Sequence, residues 1–203
     1  MNNGKRVFRI LLVTLLCGHW LGAAAEESTV RIATRMGDIL VTVDITHAPV
    51  SAANFLRYVD QRFYDGGMFH RTVTLDNQPD NAVKIEVVQA GVNPAREHDG
   101  FAPIALERTT STGIKHLAGV ISMARDGPDT ATSDFFICIT DQPSLDFGGA
   151  RNPDGQGFAA FGHVVRGMEI VRRIQQAKAN GQALKPPVKI LSIRRVPPKS
   201  APP

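Results

Sequence analysis

Residues 30–45 read Val-Arg-Ile-Ala-Thr-Arg-Met-Gly-Asp-Ile-Leu-Val-Thr-Val-Asp-Ile. Val30 and Ile32, then Ile39, Val41, Val43 and Ile45, fall on alternate positions, and Gly37-Asp38 separates the two runs. Successive strand side chains point to opposite faces, so the pattern predicts a β-hairpin with one buried face.

Downstream, Pro49 pre-sets a first helical turn, and Ala52, Phe55, Leu56 and Val59 follow at i, i+3, i+4 and i+7. That spacing lines one helix face. Asp65-Gly66-Gly67 ends the helix. Further strands are expected at Lys84–Gln89, Gly119–Ala124, Phe135–Thr140, Phe158–Val165 and Val188–Val196, with a second helix from Met168. Two loops rich in Asp, Asn, Pro and Gly interrupt the series, Thr74–Val83 and Asp141–Gly157. Many short strands, two helices and no repeat predict a β-barrel or sandwich.

Upstream, Lys5, Arg6 and Arg9 precede an apolar run from Ile10, and Ala23-Ala24-Ala25 supplies the small residues of a cleavage site. Residues 1–25 therefore read as a signal peptide, too short and broken to span a bilayer stably. Cys17 as a lipid attachment site fits less well, because bulky Leu16 precedes it. The reading divides the chain into this leader, one domain over 26–196 and a disordered Pro-rich tail over 197–203. The expected location is periplasmic.

Charge excludes one class of partner. The leader holds three of the 23 basic residues and none of the 19 acidic ones, so the rest is nearly neutral and carries no footprint for nucleic acid. Cys138 is the one cysteine beyond the leader, so no intrachain disulfide is available. No histidine pair has metal-ligand spacing, and no metal site is expected. Asn152-Pro153-Asp154-Gly155 lacks the alternating carboxylates of a calcium loop and reads as a turn.

Six short segments then stand in order. They are Val50-Ser51-Ala52-Ala53-Asn54-Phe55, Phe69-His70-Arg71-Thr72-Val73, Gln89-Ala90-Gly91, Gly119-Val120-Ile121-Ser122-Met123-Ala124, Ser133-Asp134-Phe135-Phe136-Ile137, and Leu145-Asp146 with Phe161-Gly162-His163-Val164. Together they resemble the cyclophilin family of peptidyl-prolyl cis-trans isomerases over Val30 to Val196. The resemblance implies a closed eight-stranded antiparallel β-barrel, mainly β, with an α-helix over each end and the active groove outside the barrel. It implies Arg71 as the catalytic residue and Gln89 as its partner. Phe69, Val87, Phe136, Leu145 and Phe158 would form the proline pocket. Ala124 and Arg125 would pair through their backbone with an extended peptide, and strand alternation would turn His70 away from the groove.

The chemistry needs neither nucleophile, metal nor cofactor. Amide resonance gives a rotational barrier of about 18–20 kcal/mol, and a donor aimed at the prolyl nitrogen weakens that resonance. An arginine keeps its charge at any working pH. The expected partners are proline-containing unfolded or extended polypeptides, and the family generally acts as monomers.

Four positions depart from the best-known eukaryotic members: Ser144 stands for a tryptophan, Phe158 for a histidine, Val87 for a methionine and Asp134 for a glutamine. The first predicts weak cyclosporin binding. Asp134 raises the question of whether it pairs with Arg71 in the substrate groove. A non-catalytic peptide-binding or chaperone module is the alternative reading. A hydrolase using Ser122 or Ser133 with His70 or His116 would need a Ser-His-acid geometry, and no Gly-x-Ser-x-Gly elbow supports it.

Overall fold

A computed structural model describes residues 27–197. The expected leader and all but the first residue of the expected tail lie outside the described residues. Among the described residues nine strands are present: β1 (Glu27–Thr34), β2 (Gly37–Asp44), β3 (Met68–Val73), β4 (Val87–Gly91), β5 (Val120–Met123), β6 (Phe135–Cys138), β7 (Ala159–Arg166), β8 (Ala179–Asn180) and β9 (Ala183–Arg195). Eight of them pair antiparallel in the order β1-β2-β7-β5-β6-β4-β3-β9, and β9 returns to β1. Closure leaves none of those eight with an open edge. The two-residue β8 pairs with β9 alone.

The opening hairpin forms with its turn at Arg35-Met36, and Gly37 becomes the first residue of β2. Glycine is required there: its φ is +131°, and a Cβ would run into the side chain of Ile170. Val30, Ile32, Ile39, Val41 and Val43 all face the core.

Helix α1 (Pro49–Asp60) buries Ala52, Phe55, Leu56 and Val59, the four residues of the apolar stripe. Phe55 reaches the barrel interior, with ring centroids 5.4 Å from Phe135 and 5.2 Å from Phe161. No side chain of its own caps α1. Instead the Glu107 carboxylate, from a distant loop, accepts the N–H groups of Val50 and Ser51 at 3.0 and 2.7 Å. Helix α3 (Met168–Gln175) buries Ile170, Val171 and Ile174 against the same core. A one-turn helix, α2 (Thr109–Thr112), lies in the connection before β5. Cys138 is buried, and burial pushes its thiol up, so it packs as an apolar residue.

The final strand starts five residues earlier than its apolar pattern indicates. Pro186 and Pro187 have no N–H to donate to a ladder, yet both lie within β9. They are accommodated because β3 pairs Phe69 with Val188 and Arg71 with Ala183, so the intervening β9 residues bulge out of the ladder. A bulge is where a sheet tolerates residues without an N–H donor.

Candidate active site

The same irregularity sets the site. On its other side β3 pairs Phe69 with Ala90 and Arg71 with Gln89, so His70 is an extra residue in the ladder. Regular alternation would put Phe69 and Arg71 on one face and His70 on the other. The bulge undoes that. Phe69 turns into the barrel, where it is fully buried with its ring 6.2 Å from Phe135. Arg71 and His70 both line an external cavity of about 840 Å³. Two expectations are thereby corrected: Phe69 is core rather than pocket wall, and His70 faces the groove.

The remaining expected residues, Val87, Gln89, Ala124, Arg125, Asp134, Phe136, Leu145 and Phe158, do line this cavity with Arg71. Its floor is a separate apolar cluster outside the barrel core. Val73, Ile85, Val87, Phe136, Cys138 and Leu145 form it, with Ala124 and Phe158 packed against them. Phe158 stands edge-on to Phe136 at 5.3 Å and 88°. The buried Arg125 side chain holds Phe158 from above, its guanidinium 5.0 Å from the ring. That guanidinium is itself fixed by Asp154 at 2.8 and 3.0 Å and by the Gly157 carbonyl at 2.8 Å.

Arg71 is held without a carboxylate. Its Nη1 donates to Gln89 Oε1 at 2.9 Å, while Nε and Nη2 donate to Gln182 Oε1 at 2.9 and 2.7 Å. A guanidinium has five N–H donors. Three are engaged, which leaves one on each terminal nitrogen for a substrate. Burial lowers the Arg71 pKa from its ordinary value, yet a guanidinium remains charged at neutral pH.

Asp134 does not pair with Arg71. It accepts from Gln89 Nε2 at 3.1 Å and lies 3.0 Å from His70 Nε2. A carboxylate can only accept, so it draws the Gln89 NH₂ toward itself and leaves the Gln89 oxygen for Arg71. Gly91, paired in β4 beside it, has no room for a side chain because a Cβ would strike the Asp134 carboxylate.

Ser122, His116 and Asp146 have the hydrogen-bond order of a hydrolytic triad. His116 Nε2 lies 3.0 Å from Ser122 Oγ, and Nδ1 lies 2.8 Å from Asp146 Oδ1. Yet Ser122 is 0% and His116 1% exposed, so no acyl group can reach the hydroxyl. The His116 ring stacks on Phe136 at 6.0 Å and 14°. These three residues brace the pocket from behind, and the hydrolase reading has no accessible nucleophile in them.

Residue patterns alone missed Gln182 and Arg151. Gln182 sits in the turn between β8 and β9, 111 positions from Arg71, where no motif marks it. Arg151 lies in the second long loop and lines the same cavity. Asn152–Gly155 is a turn, closed by the Gly155 N–H on the Asn152 carbonyl at 3.0 Å. Among the described residues no cluster of three His, Cys, Asp or Glu side chains could hold a metal.

Comparison with known proteins agrees with this geometry. The family model "Cyclophilin type peptidyl-prolyl cis-trans isomerase/CLD" matches residues 29–195. Peptidyl-prolyl cis-trans isomerase A of Dickeya dadantii is 34% identical over 77% of this chain and 75% of its own. A peptidyl-prolyl cis-trans isomerase of Acinetobacter baylyi is 31% identical over 94% and 95%. Among solved structures, a cyclophilin type peptidyl-prolyl cis-trans isomerase of Cryptosporidium parvum shares the fold, with a TM-score of 0.67 at 21% identity, over 87% of this chain and all of its own. A closed barrel with an external apolar groove, a family match across nearly all the described residues and relatives above 30% identity place the chain in the cyclophilin-type peptidyl-prolyl cis-trans isomerase family, an enzyme class.

Proposed function

We propose that Arg71 catalyses rotation about X-Pro bonds by donating to the prolyl amide nitrogen. The observation that carries this reading is the state of its guanidinium. It is clamped on one side by the Gln89 and Gln182 amide oxygens and retains two uncommitted N–H groups. As the amide twists, the nitrogen lone pair leaves conjugation and becomes an acceptor. A donor fixed beside it binds that state better than either planar isomer. The apolar floor of Val87, Phe136, Leu145 and Phe158 would receive the pyrrolidine ring and exclude water. Lowering a barrier of ~20 kcal/mol to ~13 brings exchange to roughly 10³ per second.

Ala124 donates its own N–H to the Asp134 carbonyl at 2.9 Å, at the cavity edge. The main chain there would run beside an extended peptide. The natural substrates in this reading are proline-containing segments of unfolded exported polypeptides, met in the periplasm after removal of residues 1–25. Ser144 in place of tryptophan supports weak cyclosporin binding, and a monomer suffices because one chain supplies every residue named here.

The test is cis-trans exchange of an Ala-Pro-Phe peptide, followed by NMR with the protein and with Arg71→Ala. Acceleration that drops about 100-fold or more in the variant is the expected result. Undiminished exchange in Arg71→Ala would remove this residue from the mechanism.

A further inference from the structure

Three arginines line the groove, and among the described residues two of them, Arg71 and Arg151, have no acidic partner. Arg151 lines the cavity with Arg71, and its Nη1 donates to Gln78 Oε1 at 3.0 Å and to the Val83 carbonyl at 2.6 Å. Among the described residues its Nε and Nη2 make no hydrogen bond. Arg71 is held by amide oxygens alone. The contrast with Arg125 is direct, because that residue lines the same cavity but is neutralised by both oxygens of Asp154.

The position of Arg151 is built, not incidental. Its loop closes on itself: Arg151 N donates to the Ser144 carbonyl at 3.1 Å, Gly149 N to Asp146 O at 2.8 Å, and Gly148 N to Gly155 O at 2.7 Å. Its anchor Gln78 is 1% exposed and is tied by Nε2 to the Thr74 and Ile85 carbonyls at 2.8 and 2.6 Å. The two long loops therefore meet through Arg151 at the rim of the apolar floor, next to Ile85. Burial first, and then the positive charge of Arg71, lower the Arg151 pKa from its ordinary value. Like charges in a partly desolvated site raise the free energy of the empty groove, and an anion placed beside them relieves it.

We infer that Arg151 is a specificity-determining residue that recruits a carboxylate side chain flanking the target proline, so that the enzyme favours Glu- or Asp-containing segments. The inference rests on the isomerase reading of the groove. Arg71 stays on the prolyl amide, and Arg151 takes the carboxylate with its free Nε and Nη2 edge, which suits a planar two-oxygen acceptor. Because the same contact exists in the planar and twisted states, it strengthens binding without changing the chemical step. The preference therefore belongs in KM.

The experiment measures exchange of matched peptides carrying Glu or its neutral isostere Gln immediately before, immediately after, or two residues after the proline. With the full protein at low salt, Glu is expected to exceed Gln in kcat/KM by roughly threefold to tenfold at one of these positions, through KM. That ratio should fall toward one in Arg151→Gln, survive in part in Arg151→Lys, and fall in the unaltered protein at about 0.5 M salt, where screening is strong. The salt series decides the matter even if Arg151→Gln loosens the loops. A ratio near one at all three positions would overturn the inference, as would a preference that survives Arg151→Gln or high salt. A Glu effect seen as lower kcat would also overturn it, since it would put the carboxylate on Arg71. If the neutral Ala-Pro-Phe peptide is not accelerated at all, the isomerase reading itself fails. If it is accelerated while Glu and Gln peptides behave alike, only the carboxylate preference is lost.

Discussion

Gln182 accepts two hydrogen bonds from one guanidinium and donates one from its Nε2 to the Asn77 carbonyl at 3.1 Å. The backbone carbonyl of the same residue accepts the Thr72 N–H at 2.8 Å. It is thus a positioning residue for Arg71, and it ties the β8–β9 turn to β3. Gln182→Leu keeps the size and removes the acceptor. Hydrogen bonds to a charged group contribute about 1.5–3 kcal/mol, so kcat should fall by roughly tenfold to a hundredfold. KM should move much less, because the apolar floor is untouched. A variant with normal kcat and a raised KM would show that Gln182 serves the pocket instead. Arg71 and Gln89 were legible in the sequence because each sits in a short motif. Gln182 was not, since a lone glutamine in a turn carries no pattern and its partner is 111 positions away.

At the scale of elements, the short 3-10 turn Pro143–Leu145 carries one wall of the pocket, and Asp146 fastens it to the barrel. Burial by itself would raise the Asp146 carboxyl. Hydrogen bonds from the His116 ring and backbone, with the charges of His116 and Lys115, outweigh it and hold the carboxyl below the ordinary carboxylate range. A depressed native pKa means that the contribution is complete above the unfolded-state value near 4 and is lost as pH falls through the native one. Asp146→Asn should therefore cost about 1–3 kcal/mol at neutral pH, with the gap to the unaltered protein narrowing below about pH 4. Urea unfolding across pH 2 to 7 measures this, and a gap that widened toward acid would contradict the assignment.

The strand elements show where pattern reading stops. The expected bounds of β2, β5, β6 and β7 fall within two residues of the observed ones at each end, whereas β1 begins three residues before Val30 and β4 begins three residues after Lys84. Alternation failed at β3 and β9, where bulges break the period of two. A bulge is fixed by the partner strands, and one strand's sequence does not reveal it.

For the whole molecule, the closed barrel separates two apolar regions that composition cannot distinguish. Phe69 and Phe158 are both phenylalanines at the edges of strands, yet one is 0% exposed inside the barrel and the other packs at the groove. Phe69→Ala should cost about 3–5 kcal/mol of stability, since it opens a cavity in close-packed core. Thermal unfolding should then fall by roughly 6–20 °C for a domain of this size. Phe158→Ala should cost less stability and raise KM, because the ring is only partly buried and stands at the groove. Equal losses of stability in the two variants would erase the division between core and groove.

Much of this protein was determined by sequence alone. Periodicity gave the opening hairpin and the apolar stripe of α1, because local backbone geometry dictates which side chains share a face. Resemblance over six ordered motifs gave the cyclophilin-type barrel, Arg71, Gln89 and four apolar groove residues, Val87, Phe136, Leu145 and Phe158. Only the tertiary structure decided which way Phe69 and His70 turn, that Asp134 serves Gln89 instead of Arg71, that Gln182 holds Arg71, and that Arg151 lines the groove. The physical reason is the same in each case. A strand's facing follows its own period until a partner strand forces a bulge, and a hydrogen bond between residues far apart in the chain exists only once the barrel has closed.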